Sequence, residues 1–411
     1  MITAPDIQRA EQGRHDDTGR GPGSLVTICC SALALAAALA TGCGAPLEAP
    51  LATPDIDTLP GGVVHVRNSG PSAWRDTGGW RLVLDLVIQP PEGDPFEIHR
   101  GYRFQGSNLV AVDHEGRIYL ADGPPAIVLV FGPDGRGMAR VGREGDGPGE
   151  FRAPGVLVVR DTLVVPSGEG HRAVTTFRLD GTPIARWHAP SGSWVGPAHG
   201  DTTGAMTLLD LLAQPPALRR VGLDGAPRPG FKMPRSAEPP GTTHPEAILV
   251  TTEGYLVAGL PQRGRWAVVR APADTLRIVV APDGIVPLTD SAIAAARERE
   301  RLRQQNPMLR QMGGGTPRPI PSHTPSWGAP LLDQDGRWWI GRHATTGAID
   351  RWDLFTADGV LLGAVARPPE LAHVSLTALR WGAGRLHAVS TLWGESERPA
   401  ILVFRLETSR P

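Results

Sequence analysis

The sequence contains little cysteine and almost no lysine. Its three cysteines are Cys29, Cys30 and Cys43, and Lys232 is its only lysine. Because two of the cysteines lie within the first 42 residues, a chain processed after residue 42 keeps Cys43 alone. Such a chain has no second cysteine for a disulfide framework or a cysteine metal site.

The chain also lacks an excess of charge of either sign. It has 41 basic and 42 acidic side chains, and residues 1–42 hold three arginines and four acids, so the remainder carries 38 of each. Proteins that bind nucleic acid usually carry a basic patch and a basic overall balance. We therefore expect no nucleic-acid partner.

No apolar run reaches the ~20 residues that a transmembrane helix needs. The longest run, LVTICCSALALAAALA at residues 25–40, is typical of the apolar region of a signal peptide. The sequence Leu39-Ala40-Thr41-Gly42-Cys43 resembles a lipobox, with Ala40 where that motif usually has leucine. We expect residues 1–42 to be a lipoprotein signal peptide and Cys43 to carry the lipid. An ordinary cleaved signal peptide and an uncleaved anchor are the alternatives.

Glycine and proline are abundant, at 51 and 41 residues, which indicates many turns. Residues 43–62 are rich in proline, alanine and threonine and are predicted to be a tether. Beyond them a sequence pattern repeats: a glycine turn, two short apolar strands, an Asp-Gly turn and another strand. The second turn of each copy is predicted at Asp134-Gly135, Asp180-Gly181, Asp224-Gly225, Asp274-Thr275 and Asp358-Gly359. Four strands in every 40–50 residues is the spacing of a β-propeller blade.

The strand arithmetic predicts six blades. Five four-stranded blades are followed by a sixth with only three strands before the chain ends. The isolated strand Trp80–Ile88 supplies the missing outer strand and closes the ring, which leaves no unpaired closing edge. We therefore predict an all-β fold: a six-bladed propeller over residues 63–411, with an insertion at 285–326 between blades four and five. A helix is predicted at 289–306 of that insertion.

Known motifs add a resemblance. Residues 141–154, VGREGDGPGEFRAP, resemble the blade-linking segment of NHL-type propellers. Ile118–Asp122 followed by Val128–Phe131 is similar to the strand pair of the same repeat, and blade one departs in having Ala126 where the repeat often has arginine. The order of the whole chain resembles the six-bladed β-propeller lipoproteins of bacterial envelopes. That resemblance implies the fold and a lipid anchor, but no activity, because most members have none assigned.

Three histidines precede the innermost strands of blades four, five and six, namely His244, His323 and His373. Equivalent positions in neighbouring blades lie near the propeller axis. Three imidazoles meeting there would bind one divalent metal, Zn²⁺ or Ca²⁺, and leave an open position for water. Three unrelated surface histidines, or a ligand pocket without metal, are the alternatives.

A second candidate set follows the second strand of each blade, where loops on a rigid scaffold often carry function. Its members are Asp122, Glu169, His171, Arg172, Asp210, Arg263, Arg342, His343 and Glu395. They are either ligand- or partner-contacting residues or ordinary solvated loop residues. Likewise, the insertion is either a lid or partner-docking helix or a solvated decoration.

The sequence has no Gly-x-Ser-x-Gly turn, no His-Glu-x-x-His helix and no phosphate loop ending in Gly-Lys-Ser/Thr. We therefore expect a monomeric binding or scaffolding module without catalysis, anchored to the cell envelope. Its partners would be the membrane, through the lipid, and an envelope protein or a glycan. The alternative function is a metal-dependent hydrolase or lyase, similar to a lactonase, that uses the axial pocket.

Overall fold

The computed structural model describes the greater part of the chain from residue 53 onward. The described residues are 53–69, 80–90, 109–123, 125–167, 173–188, 199–200, 203–210, 217–231, 248–250, 255–260, 265–270, 274–281, 286–287, 289–305, 323–324, 327–343, 349–371, 374, 376–393 and 398–408.

The strands of the first half of the chain comprise three that precede the first blade, two blades and a short linking pair. The first three are β1 (Asp55–Leu59), β2 (Val63–Arg67) and β3 (Trp80–Ile88). Blade one is β4 (Val110–Val112), β5 (Ile118–Asp122), β6 (Ile127–Phe131) and β7 (Gly137–Val141). The linking pair is β8 (Arg143–Glu144) and β9 (Glu150–Phe151). Blade two is β10 (Leu157–Val159), β11 (Thr162–Ser167), β12 (Ala173–Arg178) and β13 (Pro183–His188).

The remaining elements form four more blades and the insertion. Blade three is β14 (His199–Gly200), β15 (Ala205–Asp210), β16 (Ala217–Gly222) and β17 (Pro227–Phe231). Blade four is β18 (Ile248–Val250), β19 (Leu256–Leu260), β20 (Arg265–Arg270) and β21 (Asp274–Val280). The insertion holds β22 (Val286–Pro287), α1 (Asp290–Gln305) and β23 (His323–Thr324). Blade five is β24 (Trp327–Leu332), β25 (Trp338–His343), β26 (Ile349–Phe355) and β27 (Leu361–Ala366), and blade six is β28 (Leu376–Gly382), β29 (Arg385–Trp393) and β30 (Arg398–Thr408) with β3.

The six blades form a closed ring. Their innermost strands contact one another in the cyclic order β28, β4, β10, β14, β18, β24 and back to β28. The predicted closing strand is confirmed, because β3 pairs antiparallel with β30 from Trp80 opposite Thr408 to Ile88 opposite Ile401. The predicted insertion and its helix are also confirmed between blades four and five. The protein is therefore a six-bladed β-propeller.

Consecutive side chains of a strand point to opposite faces of its blade, so they pack against the blade on either side and fill the seams between blades. Trp338 and Trp339 are both fully buried. Trp338 packs in the cluster between blades four and five, and Trp339 packs in the cluster between blades five and six. There the Trp339 and Trp381 rings lie 4.7 Å apart. Trp338 and Trp339 are therefore core residues of two different seams.

Blades one and five each have a buried aspartate in the turn between their first and second strands. The Asp113 Oδ1 atom accepts hydrogen bonds from the Glu115 and Arg117 amides at 2.9 Å, and Oδ2 accepts from Arg117 Nε and the Tyr119 hydroxyl. Asp333 makes the same four contacts in blade five, with Trp339 Nε1 in place of the tyrosine hydroxyl. Each carboxylate thus satisfies the turn amides and ties the turn to the second strand.

The Asp-Gly turns fix the spacing between adjacent blades. Gly225 has a φ of +79°, and a Cβ at this position would lie 2.8 Å from Trp187 Cδ2 on the preceding blade. Gly359 packs in the same way on Val279, with φ +82°. Glycine is needed at both positions because it accepts positive φ and leaves room for the neighbouring blade. The expected turn at Asp274-Thr275 is wrong, since Asp274 already begins β21.

The N-terminal hairpin extends blade four to six strands. The strand β2 pairs in parallel with β21, and β1 pairs antiparallel with β2. Asn68 then joins two blades, because its Nδ2 donates to the carbonyls of Val280 and Gly359 and its Oδ1 accepts from the Leu361 amide. Residues 55–59, which lie within the expected tether, therefore form a strand of the propeller's outer edge.

Candidate functional site

The structure describes four of the predicted loop residues, namely Asp122, Asp210, Arg342 and His343. Each lies at or next to the last position of the second strand of its blade. They therefore occupy the end of the propeller that carries the connections from second to third strands. Glu169, His171, Arg172, Arg263 and Glu395 lie outside the described residues. Ligand contact by this set stays a prediction.

The axial metal also stays a prediction. His323 lies in β23, where it pairs with Pro287 of β22 inside the insertion. His244 and His373 lie outside the described residues, as does Cys43. Within the described ranges, no three His, Cys, Asp or Glu side chains lie close enough together to hold a metal ion.

Arg342 belongs to a buried ion cluster in blade five. Its Nη1 atom lies 3.4 Å from Asp353 Oδ2, and Arg351 Nε donates to Asp353 Oδ1 at 3.1 Å. Asp353 is 3% exposed and Arg342 is 9% exposed. The Arg351 side chain, in contrast, is 43% exposed. A buried carboxylate therefore holds one buried and one accessible guanidinium.

The ion cluster lies in the seam between blades four and five. Ile340 and Phe355 pack there with Trp266 of blade four. Strand alternation puts Arg342 on the same face as Ile340, and Asp353 on the same face as Phe355. The cluster thus continues this apolar seam toward the end of the propeller that carries the connections from second to third strands, here called the loop end.

Burial and charge act in opposite directions on Asp353. Desolvation raises the pKa of this carboxyl above its ordinary value, while Arg351 and Arg342 oppose the shift. Removing one partner of a buried ion pair leaves an uncompensated charge and typically costs about 3–5 kcal/mol. The cluster is therefore a fixed arrangement, in which Asp353 sets the position of Arg351.

The insertion re-enters the propeller at this cluster. Trp327, the first residue of β24, is paired with Arg342. The two pairings that β25 makes shift register here, between Trp327 and Pro330 and between Arg342 and His343. Bulges of this kind are common beside functional sites because they redirect side chains.

The described helix of the insertion is largely exposed. One side of α1 is half-buried, at Ile293, Ala296, Glu300 and Gln304. The other side exposes Leu302 at 53% and a Glu298–Arg301 ion pair with a 2.6 Å contact. This surface is charged, with a single large apolar side chain.

A second pair of polar residues, one of them buried, lies in blade six. Arg380 of β28 is opposite His387 of β29. His387 is 2% exposed, and burial lowers the pKa of its imidazole to about 4. Desolvation also lowers the pKa of Arg380. Both residues occupy strand positions that alternation would otherwise assign to apolar side chains.

Arg342 is among the residues predicted from the sequence, whereas Asp353, Arg351, Arg380 and His387 are not. A charged residue inside an alternating apolar strand, as in LTALRWG and RLHAVS, is the signal that would have found the last two. The pairing of Arg342 with Asp353 depends on the register of a hairpin whose loop gives no turn motif.

Comparisons with known proteins add the following findings. No protein-family model matches the chain, and no curated protein matches it in sequence. A member of the DUF4221 family from Bacteroides vulgatus is 12% identical with a TM-score of 0.49, covering 81% of this chain and 100% of that one. A putative exported protein from Bacteroides fragilis is 10% identical with a TM-score of 0.49, covering 83% and 99%. An inactive virginiamycin B lyase from Staphylococcus aureus is 10% identical with a TM-score of 0.44, covering 79% and 99%.

These neighbours include an enzyme and proteins whose descriptions state no activity, and the similarity supports no transfer of function. Among the described residues, no helix has the length and apolar character to cross a membrane.

The burial of His387 predicts a pH-dependent stability. The unfolded imidazole titrates near 6.5 and the folded one near 4, so the unfolded state binds more protons between these values. Stability should therefore fall as the pH drops from about 6.5 to about 4, by up to about 3 kcal/mol from this residue. Urea unfolding of wild type and His387→Gln across this range gives the free energy of unfolding at each pH. Its slope against pH should be smaller in His387→Gln than in wild type. An unchanged slope in His387→Gln would contradict the prediction.

Proposed function

We propose that this protein is a lipid-anchored β-propeller of the cell envelope that binds a ligand or protein partner and has no catalysis of its own. The binding site is the seam between blades four and five at the loop end of the ring. One observation carries the proposal: the insertion enters blade five opposite Arg342, in the cluster where Asp353 holds Arg351. An irregular segment and a buried charge cluster thus occur together in an otherwise repetitive fold.

The chemistry of the cluster favours recognition of a carboxylate. A guanidinium presents a planar fork of donors that matches a carboxylate, and its charge does not titrate near neutral pH. The buried Asp353 carboxylate orients Arg351, while part of the Arg351 side chain faces solvent. A buried ion pair is weak evidence for a stabilising role. The proposed role of the buried Asp353 is to orient the accessible Arg351 for binding, which would explain why its burial is tolerated.

The insertion supplies the second part of the proposed contact surface. Its helix α1 exposes charged side chains along most of its length. Large irregular insertions in repeat folds usually lie on one face, often the binding face. A partner that contacts both α1 and Arg351 would place a carboxylate on the Arg351 guanidinium and bind the charged surface of the helix.

The proposed location rests on the lipobox-like segment that ends at Cys43. Gly44 follows it, where some bacteria place an aspartate that retains lipoproteins at the inner membrane, and this favours the outer membrane. A lipid group on Cys43 would place the propeller beside the membrane through residues 44–54.

Replacing the lipidated cysteine should release the protein. Cys43→Ser removes the acceptor thiol, so the protein should move from the membrane fraction to the periplasmic or secreted fraction, with its precursor unprocessed at this site. Cell fractionation and the mass of the N-terminal peptide measure both effects. The matched control is Cys29→Ser, which should leave fractionation unchanged. Membrane association of Cys43→Ser equal to that of wild type would refute the anchor.

A photo-crosslinking residue at position 351 should capture the partner in cells. We expect a discrete adduct at position 351 and none at position 136, because Arg136 is 89% exposed but lies in a turn of blade one, far from the seam in sequence and blade order. A second chain carries the crosslinking residue at Leu302 of α1, which is 53% exposed, and keeps Arg351. In that chain Asp353→Asn should weaken the adduct, since Arg351 loses its fixed position. Equal adducts at positions 351 and 136, or none at either, would contradict the proposed surface.

A further inference from the structure

The ion cluster of blade five has two guanidiniums for one carboxylate. Arg342 contacts the Asp353 carboxylate at Oδ2, and Arg351 contacts it at Oδ1. The side chains of Asp353 and Arg342 are 4% and 11% exposed, whereas that of Arg351 is 43% exposed. Both arginines therefore hold the same carboxylate, but Arg351 is the one placed to touch a partner.

The charge balance of the cluster depends on Arg342. With Asp353 ionised, the two arginines leave one net positive charge, and a partner carboxylate on Arg351 would bring the total to zero. Without Arg342, the bound cluster would have two carboxylates on a single guanidinium. An uncompensated buried charge is costly, and a buried carboxyl then takes up a proton instead. Arg342 thus supplies the counter-charge that stays with Asp353 when Arg351 binds a partner.

The described surroundings of Asp353 on blade five add no second acid to this seam. Ala364 of β27 lies opposite Asp353. Trp338 and Ile340 of β25 share the strand face of Arg342 and pack in the seam. Asp350 of β26 is exposed to solvent. The charges that act most strongly on Asp353 are those of Arg351 and Arg342.

Blade four presents a mainly apolar surface to the cluster. Two of its charged residues, Arg270 and Arg277, share the strand face that points to blade five. Arg277 binds Asp358 at 2.8 Å, in the turn that follows β26, and Arg270 lies opposite Asp274, the first residue of β21. The described apolar side chains on this side of the seam are Val64, Val66, Val257, Trp266, Val268 and Val279.

We infer that Arg342 is a positioning residue of the binding site proposed above: it keeps Asp353 ionised, so that Asp353 can hold Arg351 for a partner carboxylate. The inference rests on the proposed function for the use of Arg351 in binding. It adds a regulation of that site, since protonation of Asp353 removes the acceptor of Arg351 and releases the guanidinium.

Acid is the signal to which this arrangement responds. Burial raises the pKa of the Asp353 carboxyl, and the two arginines oppose that shift. Asp353 therefore takes up its proton at a higher pH than an ordinary aspartate does. Arg342 lowers that pH from inside the seam, where no partner competes for its charge.

The test measures how readily the Arg351 guanidinium reacts with phenylglyoxal in the purified full chain. Peptide mass spectrometry gives its rate relative to that of Arg136, which is 89% exposed, so that the pH dependence of the reagent cancels. In wild type the ratio should be low at neutral pH and should rise as the pH falls toward about 4. Asp353→Asn should give the high ratio at every pH.

Arg342→Gln should raise the pH at which Arg351 becomes reactive by about one pH unit or more, because a nearby cation favours the ionised carboxyl. Its ratio should return to the wild-type value at higher pH, which structural damage would not allow. Arg342→Lys keeps the charge and should restore most of the wild-type profile. An Arg342→Gln profile equal to that of wild type overturns the inference. The wild-type profile needs no variant to fold, and a ratio that stays low throughout overturns the inference by itself.

Failure of the proposed function has a different signature. The adduct expected from position 302 would then be absent in cells, whereas the Arg351 profiles need no partner and would still support the positioning role. Where the adduct forms, Arg342→Gln should weaken it as Asp353→Asn does. An adduct that Arg342→Gln leaves at full strength overturns the inference.

Discussion

The pairing of β3 with β30 is the interaction on which the rest of the propeller depends. It brings a strand from the N-terminal part of the chain into the last blade, and that strand contributes to both neighbouring seams. Leu82 packs in the cluster between blades five and six, whereas Ile88 packs in the cluster between blades six and one. Arg337 of blade five also lies 4.7 Å above the Trp80 ring. Without this strand, the seam that holds Arg380 and His387 would lose one of its walls and the ring would have an open edge.

The candidate site lies where the repeat is interrupted. Most seams are filled by alternating apolar side chains, with glycine turns setting the distance to the next blade. The seam between blades four and five instead contains Asp353 with its two arginines, beside a long insertion. A repetitive scaffold does not need charged groups at these positions for its stability. Function is the simpler reason for keeping them.

The fold was largely predictable because its signals are local. Asp-Gly turns, strand alternation and the unmatched strand at Trp80–Ile88 gave six blades, the closure and the helix. The hairpin β1–β2 was not predicted, since its parallel pairing with β21 joins residues more than 200 positions apart and has no turn motif. Of the site, the sequence indicated Arg342 by its place after a second strand. The partnership of Arg342 with Asp353, and the pairing of Arg380 with His387, depend on strand register.

An engineered disulfide tests ring closure most directly. In a chain whose three native cysteines are replaced by serine, Arg81→Cys and Glu407→Cys lie directly opposite across β3 and β30. Mild oxidation should join them and raise the free energy of unfolding by up to about 5 kcal/mol, because the bond closes a very long loop. The pair Arg81→Cys and Arg405→Cys is two residues out of register, beyond the ~7 Å that a disulfide spans, and should stay reduced. Efficient crosslinking of the shifted pair, or none of the aligned pair, would contradict the closed propeller.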